Sequence, residues 1–247
     1  MKAFFKKNLA LWTGLLVLSG SAIGSTVSEK TADPVVGRIN NQPVTAGEYR
    51  LIMLREASGV FSQLKAMRDL DDHFGYWKDG GEPLAKLRET VRDELVRIKV
   101  RQELARKRGL VQDIDFETFV TEYAAENARR KEAVARGEAI YGPISFSPAA
   151  SYYARFGDLS FRLTDLLTRE AEPTITDEQV EKIYRDRREE FGDKKLEDVR
   201  TPIRAYLAKT RAEEQIQQLC AAAKVEMDPV ALQGLVPRLD AENPAKE

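Results

Sequence analysis

Cysteine and histidine are nearly missing from this 247-residue chain, with Cys220 and His73 as the single examples of each. One thiol cannot form an intramolecular disulfide, so stability must come from packing. One imidazole and one thiol cannot complete a typical transition-metal shell. An excess of charge of one sign is missing too. The 39 basic and 40 acidic side chains are interspersed, which leaves no concentrated basic surface for a phosphate backbone, and nucleic acid is not expected as a partner. Uncharged runs are scarce: the long one is Asn8 to Ser28, and there is neither an internal repeat nor a low-complexity segment.

That run has the layout of a secretory leader. Lys2, Lys6 and Lys7 precede an apolar centre, Leu9 to Leu18, and small residues follow. Gly20-Ser21-Ala22 fits a cleavage tripeptide, with Ser19-Gly20-Ser21 as the alternative, and residues 1–28 are read as a signal peptide. The rival reading is an uncleaved anchor that would tether the protein to a membrane, but the strongly apolar core is short for a spanning helix. Either way the expected location is extracytoplasmic, periplasmic or in the cell envelope. Past the leader about 215 residues remain, enough for one sizeable core or two small ones.

The mature part reads as mainly α. Val35, Val36 and Ile39 form a short β-branched run that ends at the turn formers Asn40, Asn41 and Pro43. Thr45 and Glu48 then have capping-box spacing, each side chain expected to satisfy a backbone N–H of the first helical turn. A helix follows from Ala46 toward Met67, with Ser58-Gly59 as a candidate bend, and Asp79-Gly80-Gly81-Glu82-Pro83 breaks the chain. Leu84, Leu87, Val91, Leu95, Ile98, Gln102 and Ala105 make one apolar stripe, which Gly109 ends. A third helix is predicted over Phe116 to Ala135, and Gly142-Pro143 separates it from an aromatic-rich segment. Thr176-Asp177-Glu178 opens another, with acids at the positive end of its dipole. The last long helix is predicted to start at Thr201-Pro202 and to carry Cys220 on its apolar face as a small buried hydrophobe. Lys224 to Asp228 reads as a strand, and residues 229–247, with Pro229, Pro237 and Pro244, read as a flexible tail with one helical turn around Leu232.

Four segments in order carry a family resemblance. Val36, Ile39, Asn40, Pro43, Val44, Thr45, Glu48 and Tyr49 fit V-x-x-I-N-x-x-P-[IV]-T-x-x-E-[FY], which resembles the opening of SurA-type and PrsA-type extracytoplasmic chaperones. Lys86 to Leu110 is similar to the long helix that follows in that family. Thr174 to Phe191 is similar to the helix leading into its parvulin isomerase domain, and Leu196 to Met227 to its closing helix and strand. The resemblance covers roughly half of the mature chain and rests on the order of the four segments. It implies a helical module over residues 33–228 in which the strand at Val35 pairs with the strand near Val225. No cysteine near the leader offers the lipid anchor common in PrsA-type proteins.

The same resemblance makes an absence informative. The family's parvulin domain usually lies between the helix ending like Glu190-Phe191 and the one beginning like Leu196-Glu197, where this chain has Gly192-Asp193-Lys194-Lys195. Four residues cannot hold a domain of on the order of a hundred, and the paired histidines of a parvulin site are not in the inventory. Other chemistries fare no better. His73 among Asp69, Asp71 and Asp72 is explained by a solvated acidic helix end, no G-x-S-x-G accompanies it, and Gly80-Gly81 is no phosphate loop. Glu189-Glu190, among Arg185, Arg187 and Arg188, is an ordinary charged helix face. The expectation is therefore a binding protein, with no catalytic residues, metal or cofactor.

A chaperone needs exposed apolar side chains that grip many sequences weakly. Phe146, Tyr152, Tyr153, Phe156 and Phe161 are the densest aromatic group, and Trp77 sits with Phe74 and Tyr76 in a loop. These are the candidate client-binding residues, each weighed against a place in the core between helices. The expected partners are unfolded or nascent exported polypeptides. A residual peptidyl-prolyl isomerase and a dedicated assembly partner for one exported protein are the alternatives.

Overall fold

The computed structural model describes residues 33–67, 77–78 and 81–237. The leader, the acidic run with His73, Phe74, Tyr76 and residues 238–247 lie outside them. The described residues from Asp33 onward form one compact unit. It is mainly helical with a small antiparallel sheet: β1 (Val35–Ile39), β2 (Gln42–Thr45), α1 (Ala46–Met67), α2 (Glu82–Lys107), α3 (Phe116–Ala135), α4 (Pro148–Ala171), α5 (Asp177–Asp186), the single turn α6 (Arg188–Phe191), α7 (Leu196–Ala221) and β3 (Val225–Met227). The aromatic-rich segment is α4, opened by Ser147, whose hydroxyl accepts a bond from Ala150 N–H at 3.2 Å.

The sheet order is β2-β1-β3, so the N-terminal strand pairs with the C-terminal one as the motifs imply, and a third strand is added. Pro43 hides that strand in the sequence, because prolines read as turns. Asn40 and Asn41, at φ 48° and 67°, make a two-residue turn. Ile39 then pairs with Gln42 and Arg38 with Pro43, so by antiparallel alternation the proline nitrogen faces the outer edge, where no N–H is needed. Gly37 is required at the β1–β3 contact: a Cβ there would lie 2.6 Å from Met227 Sδ and 2.7 Å from the Glu226 carbonyl oxygen. Asn40 closes the corner, its N–H donating to Lys224 O and its Oδ1 accepting from Lys224 N–H, both at 2.9 Å.

The capping box at the start of α1 is only half formed. Thr45 Oγ1 accepts from Glu48 N–H at 3.3 Å and Asp33 accepts from Gly47 N–H, but the Glu48 side chain turns into the core. There its Oε2 lies 2.8 Å from Lys99 Nζ, and its Oε1 accepts a 2.6 Å bond from Tyr152 Oη–H. All three residues are buried. Burial, reinforced by the Glu48 charge, raises the Tyr152 pKa well above its usual value and keeps the hydroxyl a donor. Gln42 Nε2 donates to the Lys99 carbonyl at 3.1 Å, tying the edge strand to the same turn of α2.

Among the described residues, three apolar clusters run along the unit. The first joins the sheet, α1 and α2 to Phe119 of α3 and Tyr152 and Phe156 of α4. The second joins Leu104 and Ala105 of α2, Leu159, Leu163 and Leu167 of α4, and Ala212 and Ile216 of α7, with Cys220 at its margin. The third packs α5 on the first half of α7 through Val180, Val199, Ile203 and Ala208. This third cluster places the start of α7 at Leu196 rather than Thr201. Val199 and Ile203 are both buried, so continuing the helix around Pro202 buries more apolar area than a break would save. Arg200 and Arg204 share Asp177 at 2.9 and 2.6 Å, closing the lobe. Residues 192–195 are a tight turn, with Gly192 at φ 55° and Lys194 N–H bonded to Phe191 O at 3.1 Å.

The stretch after β3 is also packed where a tail was expected. Leu235 is buried against the first cluster with Ala231, Leu232 and Val236 beside it, and Arg88 Nη2 donates to the Leu232 carbonyl at 3.0 Å. The leucines decide this, since prolines restrict the path without preventing burial.

Lys99→Met is expected to lose about 3–5 kcal/mol in urea unfolding, because it strands a buried carboxylate. The double variant Lys99→Met with Glu48→Gln is expected to recover most of that loss. Equal losses in single and double variants would refute the ion-pair account.

Candidate functional site

Two surfaces are assembled from residues distant in sequence. The first begins on α3, whose stripe Phe116, Phe119, Val120 and Tyr123 packs toward the first cluster. Arg130, further along the helix, is buried at 6% exposure instead of solvated. Its guanidinium donates to the carbonyls of Tyr141 and, at 2.9 Å, Pro143, and lies 4.7 Å from the centre of the Phe146 ring. Asn127 completes the pin: its Nδ2 donates to Phe146 O at 3.2 Å and its Oδ1 accepts from Phe146 N–H at 3.0 Å. Residues 136–147 are thus folded back over α3, and apolar side chains are left on the outside. Tyr141 is 99% exposed, Ile144 52% and Val134 39%.

The second surface spans α1, α2, α4 and α7. The Arg55 guanidinium lies 3.4 Å from the centre of the Tyr153 ring, and that of Arg97 lies 4.8 Å from the centre of the Phe156 ring. Glu94 is clasped by Arg97, with Nε to Oε2 at 2.6 Å. Burial and the neighbouring Glu94 charge raise the Glu56 pKa above the usual carboxylate value. Among the described residues the enclosed Tyr153 hydroxyl has no hydrogen-bond partner, and its pKa is raised by burial first and Glu94 next. At the far edge Cys220 is half buried, and burial pushes its thiol pKa up, away from the reactive thiolate.

The six candidate client-binding residues separate on this frame. Tyr152 and Phe156 are core residues at 4% and 5% exposure, a correction to their expected place on the surface. Tyr152 meets Phe119 edge-on at 5.0 Å and Tyr153 at 5.7 Å. Tyr153, Phe146 and Trp77 are half buried, the last against the first cluster. Phe161 is 75% exposed on the outer side of α4. The structure therefore joins Tyr152, Tyr153 and Phe156 in one contact network and leaves Phe161 outside it.

Between α2, α3 and α4 lies a cavity of about 30 Å³ bordered by Gln102, Ile114, Phe119, Tyr152, Phe156 and Leu159. That holds one or two water molecules and no organic substrate. No helix among the described residues is long and apolar enough to cross a membrane. Set against protein-family models, curated proteins and solved structures, the chain matches none of them.

Sequence reading missed Arg130, Lys99, Tyr141 and Ile144. A signal for the first two was present: each sits at helical spacing within an apolar stripe, Lys99 four residues after Leu95 and Arg130 seven after Tyr123. Tyr153→Phe removes a hydroxyl that has no partner among the described residues, so urea unfolding is expected to show unchanged stability or a gain of up to about 1 kcal/mol. A loss of that size would instead show that the hydroxyl is bonded.

Proposed function

We propose that this chain is an ATP-independent chaperone that holds unfolded or partly folded polypeptides outside the cytoplasm, without covalent chemistry. The observation that carries the reading is the Tyr141–Ile144 loop. A buried guanidinium fixes its backbone while a fully exposed tyrosine and a half-exposed isoleucine project from it. Exposed apolar side chains on a fixed support suit weak contact with many extended sequences. The secretory-type leader supports the location, and the four ordered motifs support a SurA-like helical module. The tight turn at 192–195 supports a module without an inserted isomerase domain.

The test is light scattering of a chemically unfolded secreted protein diluted into buffer with and without purified Asp33–Glu247. Near-stoichiometric suppression of aggregation is expected across unrelated clients. The double variant Tyr141→Ser, Ile144→Ser is expected to require severalfold more protein for the same suppression, while its unfolding free energy stays within about 0.5 kcal/mol of wild type. Suppression by neither protein with any client would sink the holdase and leave the dedicated partner as the reading to pursue.

A further inference from the structure

On the α1–α2–α4–α7 surface Arg101 sits among charges that are paired. Arg55 lies 3.7 Å from Glu56, Arg97 clasps Glu94, and Lys209 lies 3.9 Å from Glu213. Arg101 is left over. It sits half buried on α2 beside Cys220 of α7, and among the described residues its hydrogen bonding is one 3.3 Å bond from Nη1 to the Arg97 carbonyl. A guanidinium has five N–H donors, so most of this fork makes no bond to the described residues. Burial and the like charge of Arg97 both weaken its protonated form, against smaller opposing effects of Cys220, Glu94 and Glu213. The fold thus holds a cation partly out of water with nothing of opposite sign bonded to it.

A planar carboxylate matches such a fork with two parallel hydrogen bonds. A phosphate, with its greater charge, would call for a second free cation, and the nearest, Arg97, is occupied by Glu94. The half-buried Cys220, at the margin of the second apolar cluster, borders the position, and Leu219 in the same turn of α7 is 40% exposed. We propose that Arg101 receives a carboxylate of the bound polypeptide, giving this chain a preference for acidic segments with an adjacent apolar side chain. The inference rests on the polypeptide-binding reading above and specifies its ligand chemistry.

The experiment is fluorescence anisotropy with the full chain and short labelled peptides that share one apolar centre and are flanked by Glu, Gln or Lys. The Glu-flanked peptide is expected to bind about tenfold tighter than the Gln-flanked one, equivalent to about 1.4 kcal/mol, and the Lys-flanked one more weakly still. Added salt should shrink that ratio. In Arg101→Gln the Glu-to-Gln ratio is expected to fall to about one, and in Arg101→Lys to be partly kept, with circular dichroism showing both variants folded. Amidating the Glu- and Gln-flanked peptides separates the two sources of carboxylate: a Glu-to-Gln ratio kept after amidation assigns side chains, and equal weakening of both peptides with a ratio near one assigns the chain terminus and overturns the preference for acidic segments. Equal binding of Glu- and Lys-flanked peptides, or a ratio untouched in Arg101→Gln, overturns the proposal while polypeptide binding stands. Binding of no peptide overturns both.

Discussion

The Glu48–Lys99 pair, with the Tyr152 hydroxyl on its free oxygen, is the constraint around which the unit is arranged. It connects the first turn of α1, the middle of α2 and the first turns of α4, and the Lys99 carbonyl holds the edge strand through Gln42. An isolated charge at this depth would cost several kcal/mol, so each partner is tolerable only while the others are in place. Apolar packing alone would permit several rotations of these helices about their axes. A buried charge pair with one satisfied geometry singles out one of them, a role attested for polar groups in other cores.

From that junction the chain extends outward. The sheet closes the ends of the chain onto each other, with Asn40 bonded in both directions to Lys224. α4 and α7 lead away through the second cluster into the small lobe of α5, α6 and the first half of α7. Arg204 and Arg211 bind backbone carbonyls at Ile175 and Thr174, so the link between α4 and α5 is held by α7 as well as by its own covalent path. Stability therefore comes from packing and from arginine contacts to backbone, in a chain whose single cysteine offers no crosslink.

The candidate binding surfaces follow from what the core takes. Burying Tyr152 and Phe156 removes the strongest pair of the aromatic segment from solvent. What remains outside is Phe161 on α4, a loop held by Arg130, and a charged face on which cations lie over aromatic rings. The loop offers apolar contact and the charged face offers electrostatic selection, and the two draw on different physical terms.

Much of the fold was legible in the sequence. α1 and α3 are read with their observed limits from periodicity and punctuation, and α5 opens after Thr176 as expected, with Gln179 completing a capping box that was not foreseen. β1 and β3 follow from short β-branched or alternating runs, since local patterns report local structure. β2 was not legible, because a proline is a strand residue only where its nitrogen faces an unpaired edge, and edge position is a tertiary fact. The start of α7 was hidden from the local pattern, though the family resemblance put it at Leu196: Pro202 argues for a boundary locally, and only the burial of Val199 and Ile203 against α5 overrides it. The site was the least legible part. Composition determined that no intramolecular disulfide can form, and sequence order determined a mainly helical module. The tertiary structure alone decided which aromatic rings are core, that Arg101 is half buried without a bonded carboxylate, and where Glu48 points. Exposure and pairing depend on neighbours distant in the chain, and no local pattern encodes them.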